Sequence, residues 1–278
     1  MAAAREKLEG LERLPQFPAI ATKVLRALSH DDSGAREIAD FICADEALAS
    51  GLLRTVNSPL YALRSEVTSI RQAIMVLGFE EVKRFLLTDS LRSYFQPAVR
   101  LDLLRGVWRH SLACALACEE LSAACSLSWS GADPAYTAGL LHDIGRLGLL
   151  MACPREYAEL LSGQAPGAGI LEREREALGI DHCEAGRWLV ERWGLPEAAQ
   201  TAAAEHHKPP RQSPFDLQDL VRVAVLLTET LGFDIAPPAQ PRTLVEIRSL
   251  LPHAAQYRFD PDPKALQARI TSRLEAFD

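Results

Sequence analysis

Apolar residues recur at three- and four-residue spacing along almost the whole chain, while Val, Ile, Tyr and Thr rarely alternate with polar residues. Spacing near 3.6 gathers side chains on one face of a helix, and spacing of 2 on one face of a strand, so the pattern predicts an all-α protein. Leu103, Val107, His110, Cys114, Ala117 and Leu121 follow it along a longer helix that begins near Leu101. Helix starts are marked by Ser69 with Gln72 and by Asp181 with Glu184, both in capping-box spacing. Asp133-Pro134 and Leu195-Pro196 mark two more, since proline suits a first helical turn.

Breaks in the pattern divide the chain. The segment from Ser93 to Pro97 interrupts a run of short helices, which predicts two lobes: an N-terminal helical lobe over 11–96 and a second helical lobe over 97–235. A C-terminal helical appendage is expected over 236–278. Loops are expected at 162–167, 208–214 and 236–241, all rich in Gly, Pro or Ser. No self-similarity at a period of roughly 20–50 residues is present, which argues against a solenoid.

Composition narrows the class. The chain has 278 residues, 48% hydrophobic and 24% charged, enough to bury an ordinary globular core. Its 30 Lys+Arg against 37 Asp+Glu give a net charge of −7, which argues against nucleic acid or an anionic membrane as the main partner. Six cysteines at 43, 114, 118, 125, 153 and 183 form no C-x-x-C and read as free thiols of a reducing cytoplasm. The first residues hold no apolar signal segment, and the apolar stretch from Gly139 to Cys153 is interrupted by His142, Asp143 and Arg146, so neither secretion nor membrane spanning is expected.

Candidate chemistry concentrates in the second lobe. His110, His142, His182, His206 and His207 fall on four predicted helices, each near an apolar stripe. His110 shares its own stripe, His142 lies beside Ala138, Leu141, Gly145 and Leu149, and His182 stands above Ala185, Gly186 and Leu189. His206 shares a face with Ala199 and Ala203. A single buried histidine is ordinarily a core residue with one nitrogen on a backbone carbonyl. Five of them with Asp143 point instead to a metal or anion site, and imidazoles mixed with a carboxylate suit iron, manganese, nickel or zinc. Neighbouring residues on a helix stand ~100° apart, so His142 and Asp143 reach one centre only if they flank its axis. Cys114 and Cys118, four apart, are expected to be small core residues rather than ligands. Trp108, Trp188 and Trp193 read as core or interface anchors. No P-loop, dinucleotide-binding glycine pattern or nucleophilic serine elbow is present.

Trp108-Arg109-His110-Ser111, Gly139 to Gly145 with its His142-Asp143 pair, Asp181-His182 and Glu205-His206-His207 resemble the HD superfamily. The first half, with Leu14 to Pro18, Ile38-Ala39, Asp45, Leu52-Leu53-Arg54, Asn57 to Tyr61, Ser69-Ile70, Ala73-Ile74 and Leu77-Gly78, is similar to the HDOD domain, a bacterial signalling relative of HD enzymes. The resemblance spans residues 11–235. It implies His110, His142, Asp143, His182, His206 and His207 as ligands of a divalent transition metal and Arg146 as a phosphate contact. Three departures bear on activity: Val225 stands where HD hydrolases carry a late Asp ligand, Lys208-Pro209-Pro210 replaces a Gly-Tyr-Pro loop, and Arg146 replaces a lysine. Glu46 also stands where the family often has proline. The expectation is therefore a cytoplasmic signal-transduction module acting through a protein partner without hydrolase activity. The alternative is a metal-dependent phosphohydrolase acting on a phosphate ester or nucleotide. Neither partner identity nor oligomeric state follows from the sequence.

Overall fold

A computed structural model of the chain describes residues 7, 9–28, 35–95, 101–126, 134–163, 169–235, 242–259 and 261–277. Among these every regular element is helical, as the 3.6-residue periodicity requires. Before residue 96 come α1 (Ala19–Leu28), α2 (Ala35–Ala44), α3 (Glu46–Val56), α4 (Ile70–Leu77) and α5 (Phe79–Phe95). After residue 100 come α6 (Leu101–Cys125), α7 (Pro134–Leu141), α8 (Ile144–Ala152), α9 (Pro154–Ser162), α10 (Ile170–Leu178), α11 (His182–Arg192), α12 (Glu197–Glu205) and α13 (Leu217–Thr230). Three more close the chain: α14 (Leu244–Ser249), α15 (His253–Gln256) and α16 (Pro263–Glu275). The breaks expected at residues 96–97, 164–167 and 236–241, and Asp133 as a helix-start residue, lie outside the described residues.

Local chemistry accounts for the short elements. Asp45 starts α3 by accepting hydrogen bonds from the Ala47 and Leu48 amides at 3.0 and 3.1 Å. Ser69 starts α4 by accepting from the Gln72 amide, and Asp181 with Glu184 forms a complete capping box on α11. Asn57 ends α3 and also reaches ten residues ahead. It accepts from the Val67 amide and donates to the Val67 carbonyl, both at 2.8 Å, strapping the loop that holds Pro59.

The long helix α6 is packed by α7, α13 and α16. Against it α7 comes so near that a Cβ on Gly139 would stand 2.8 Å from the Cys118 sulfur and 2.9 Å from the Ala115 Cα. The approach of α8 to α11 is tighter still: a Cβ on Gly145 would lie 1.8 Å from the His182 carbonyl oxygen, so only glycine fits. This contact lays the turn before α8 directly over the first residue of α11. The helices before and after residues 96–100 share one apolar core, in which Phe17 packs against Trp193, tilted, at 4.8 Å between ring centres. The C-terminal helices join it too: Leu266, Ile270 and Leu274 are buried, and Arg273 pairs with Glu119 on α6 at 2.7 Å and with Glu81 on α5 at 3.5 Å. No helix among the described residues is long and apolar enough to cross a membrane.

Candidate metal centre

The sequence pattern carries one helical stripe through residues 138–149, yet the structure breaks it. Helix α7 stops at Leu141, His142 and Asp143 form a turn, and α8 begins at Ile144. That break answers the angular difficulty of adjacent ligands on a helix: off the helix, both side chains enter the same space. His110 reaches it from α6, His182 from the start of α11, and His206 and His207 from just beyond α12.

Each imidazole but the last has its proton placed by a hydrogen bond. His110 Nδ1 donates to the Phe233 carbonyl at 2.9 Å, His142 Nδ1 to the Gly139 carbonyl at 2.7 Å, and His206 Nδ1 to the Ala202 carbonyl at 3.1 Å. His182 Nδ1 donates to the Glu174 carboxylate at 2.6 Å. A carbonyl or carboxylate only accepts, so these Nδ1 atoms hold the protons and the Nε2 atoms of His110, His142, His182 and His206 present bare lone pairs. Those lone pairs face one another. His110 and His142 stand 3.3 Å apart at Nε2, His182 and His206 3.2 Å, and His182 and His207 3.0 Å.

Asp143 lies between the two groups. Its Oδ2 is 3.8 Å from the Nε2 atoms of both His110 and His142, while its Oδ1 is 3.4 Å from His182 Nε2 and 3.3 Å from His206 Nε2. Oδ1 is buried and takes no hydrogen bond, an atom aimed into the centre with nothing to satisfy it. Arg146, one turn into α8, donates from Nε to Asp143 Oδ2 at 2.9 Å and brings Nη1 to 3.6 Å from Glu174. The sequence marked Arg146 as a phosphate contact; in the structure it is buried and oriented toward these two carboxylates.

Electrostatics keeps His110, His142, His182 and His207 neutral. Burial lowers the pKa of His110, and lowers those of His142 and His182 well below the ordinary histidine range. His207, exposed at the surface, is also lowered, by desolvation against its neighbours and then by His206 and His182. Burial opposes the charge on Asp143, but Arg146 and then His142 outweigh it and hold its carboxyl well below the usual range. Protonation is therefore a costly way to relieve facing lone pairs, and a divalent cation is the remaining one. Metal–nitrogen bonds of ~2.0–2.1 Å put neighbouring donor nitrogens ~3.0–3.4 Å apart around an ion, the spacing these nitrogens already have. The residues present fit a divalent transition metal. Val225 is buried on α13 and brings no donor atom.

The network behind the ligands was not legible in the sequence. Glu174 is fully buried and accepts from the His182 ring, from the His182 amide at 2.9 Å and from the Tyr157 hydroxyl at 2.7 Å. It sits in a stretch of alternating acidic and basic residues that resembles a solvated face. The one signal was its phase, four residues after Ile170 and four before Leu178, on the apolar stripe of α10.

An all-helical fold around a buried histidine–aspartate centre defines an HD-type domain. The family model of the HDOD domain matches residues 14–209, and the chain belongs to that family. The match ends before Val225. An HDOD domain protein of unknown function from Geobacter sulfurreducens has the same fold, with a TM-score of 0.77 at 23% identity, covering 99% of this chain and 95% of that one. A Shewanella amazonensis protein provisionally named a phosphohydrolase has a TM-score of 0.71 at 21% identity, covering 99% of each chain. An uncharacterised protein of Treponema pallidum (strain Nichols) is 25% identical over 226 residues, 80% of this chain and 43% of that protein. The chain thus spans less than half the length of this curated relative.

Proposed function

We propose that this chain is a cytoplasmic signal-transduction domain that holds a divalent transition metal and acts through a protein partner, without turning over a phosphate ester. The observation carrying the metal is the set of opposed, unprotonated Nε2 atoms around the orphaned Asp143 Oδ1. His110, His142, Asp143, His182, His206 and His207 would hold the ion or ions. Bound there, a divalent ion supplies Lewis acidity and rigid cross-linking of α6, α7, α11 and α12. Arg146 and Glu174 fix the orientation of Asp143 and His182, and the burial of all these side chains except His207 excludes water from the centre.

The same burial favours regulation over hydrolysis, because among these ligand side chains His207 alone is exposed to a phosphate substrate. Partner binding gains support from the adjacent Met75 and Val76 on α4, of which Met75 is 73% exposed. One observation favours the hydrolase alternative: Asp143 turns one oxygen toward each histidine group, as a carboxylate between two ions does. The deciding experiment is elemental analysis of protein purified without chelator, followed by turnover of phosphomonoesters and cyclic di-GMP. Bound metal with turnover no higher than in a His142→Ala, Asp143→Ala double variant is expected. Turnover well above that control replaces this reading with the hydrolase.

A further inference from the structure

The two halves of the centre differ in what they offer a cation. His110 and His142 stand with one oxygen of Asp143. His182 and His206 share the other oxygen, His207 stands 3.0 Å from His182 at Nε2, and position 225, where an aspartate is expected in HD hydrolases, is valine. The second half is thus short of negative charge. Beside it lies Cys183, the second residue of α11, and the donor atoms of His182, Cys183, His206 and His207 all lie within 4.8 Å of one another. Cys183 is 6% exposed, and among the described residues its thiol takes no hydrogen bond. The other buried thiols have company elsewhere: Cys114 bonds to Cys118, and Cys153 donates to the Leu149 carbonyl at 3.2 Å.

We propose that Cys183 is a metal ligand, binding as thiolate with His182, His206 and His207 to form a subsite of three nitrogens and one sulfur that prefers zinc. This rests on the metal reading above and adds the missing anionic donor to it. The step is an exchange: the sulfur–hydrogen bond breaks, a sulfur–metal bond forms, and the proton leaves to buffer. Zinc–sulfur bonds of ~2.3 Å and zinc–nitrogen bonds of ~2.0–2.1 Å place sulfur ~3.6 Å from each nitrogen, so about an ångström of side-chain movement closes the present span. A soft sulfur in place of a hard carboxylate moves selectivity from manganese toward zinc.

Cobalt(II) titration of the full, reduced, metal-free chain tests this, with Cys183→Ala and Cys114→Ala alongside. The wild type and Cys114→Ala are expected to show a near-ultraviolet sulfur-to-cobalt charge-transfer band. Cys183→Ala should bind cobalt through imidazole, with visible bands and no such band, and should lose at least about tenfold of the zinc-over-manganese preference. If Cys183→Ala does not fold, Cys183→Ser takes its place, since an oxygen donor keeps the ion without the band. Cobalt bound by wild type with no charge-transfer band overturns the role of Cys183 and leaves the metal reading standing, as does a band that survives in Cys183→Ala. No cobalt bound by wild type overturns both.

Discussion

Glu174→Gln changes almost no atoms and removes one negative charge behind His182. The amide oxygen can still accept from the His182 ring and amide, and its nitrogen then faces Tyr157, whose hydroxyl rotates to accept. The hydrogen-bonded groups keep a counterpart while Arg146 Nη1, 3.6 Å away, loses an ion pair, so stability should fall by the difference between charged and neutral hydrogen bonds, about 1–2 kcal/mol, plus the loss of that pair. Metal affinity should fall much further, about 10–100-fold, because a carboxylate behind a ligating imidazole fixes its tautomer and raises its basicity. Glu174→Ala separates the effects in the other direction. It strands three donors at a fully buried position, the His182 ring, the His182 amide and the Tyr157 hydroxyl. At about 1–3 kcal/mol for each stranded group, the cost is about 3 kcal/mol or more, or roughly 6 °C in the melting temperature of a chain this size. Urea unfolding in the presence of chelator reads the stability, and competition with a chromophoric chelator reads the zinc affinity. Glutamine binding zinc as tightly as glutamate would refute the positioning role. An alanine variant within 1 kcal/mol of wild type would refute the burial of the network.

Acid should unfold the metal-free chain through His110, His142 and His182. Their folded pKa values are lowered, so the unfolded chain binds more protons below about pH 6.5, and stability drops as pH falls from there by about 1.4 kcal/mol per unit for each such histidine until the folded pKa is reached. Chemical denaturation at pH 7.5, 6.5 and 5.5 should show the loss beginning below 6.5, and a flat profile would contradict neutral buried imidazoles. Gly145→Ala should cost more than about 3 kcal/mol or prevent folding, read by circular dichroism, since its Cβ would collide with the His182 carbonyl. Asp143→Asn should abolish metal binding by elemental analysis and also destabilise the metal-free chain by about 3–5 kcal/mol, because Arg146 then lacks its closest buried counter-charge. If it is as stable as wild type, the Arg146–Asp143 pair is structurally neutral.

Much of the architecture is local in origin and therefore readable from the chain: apolar spacing made every described element a helix, and side chains such as Ser69 and Asp181 fixed where helices start, because capping uses groups within three residues. Five histidines and one aspartate stood out by residue type. Their common destination depended on packing: the break at His142-Asp143, the glycine contact of Gly145 with α11, and a carbonyl from Phe233 far along the chain that sets the His110 tautomer. Glu174 and Cys183 stayed hidden for the same reason. A glutamate whose one local signal is its phase in a charged helix, and a lone thiol with none, become part of a centre only when three-dimensional neighbours take away their water and turn imidazoles toward them. The sequence by itself determined the helices and the inventory of donor groups; the tertiary structure alone decided which protons those donors carry and which of them meet, since both depend on contacts between residues distant in the chain.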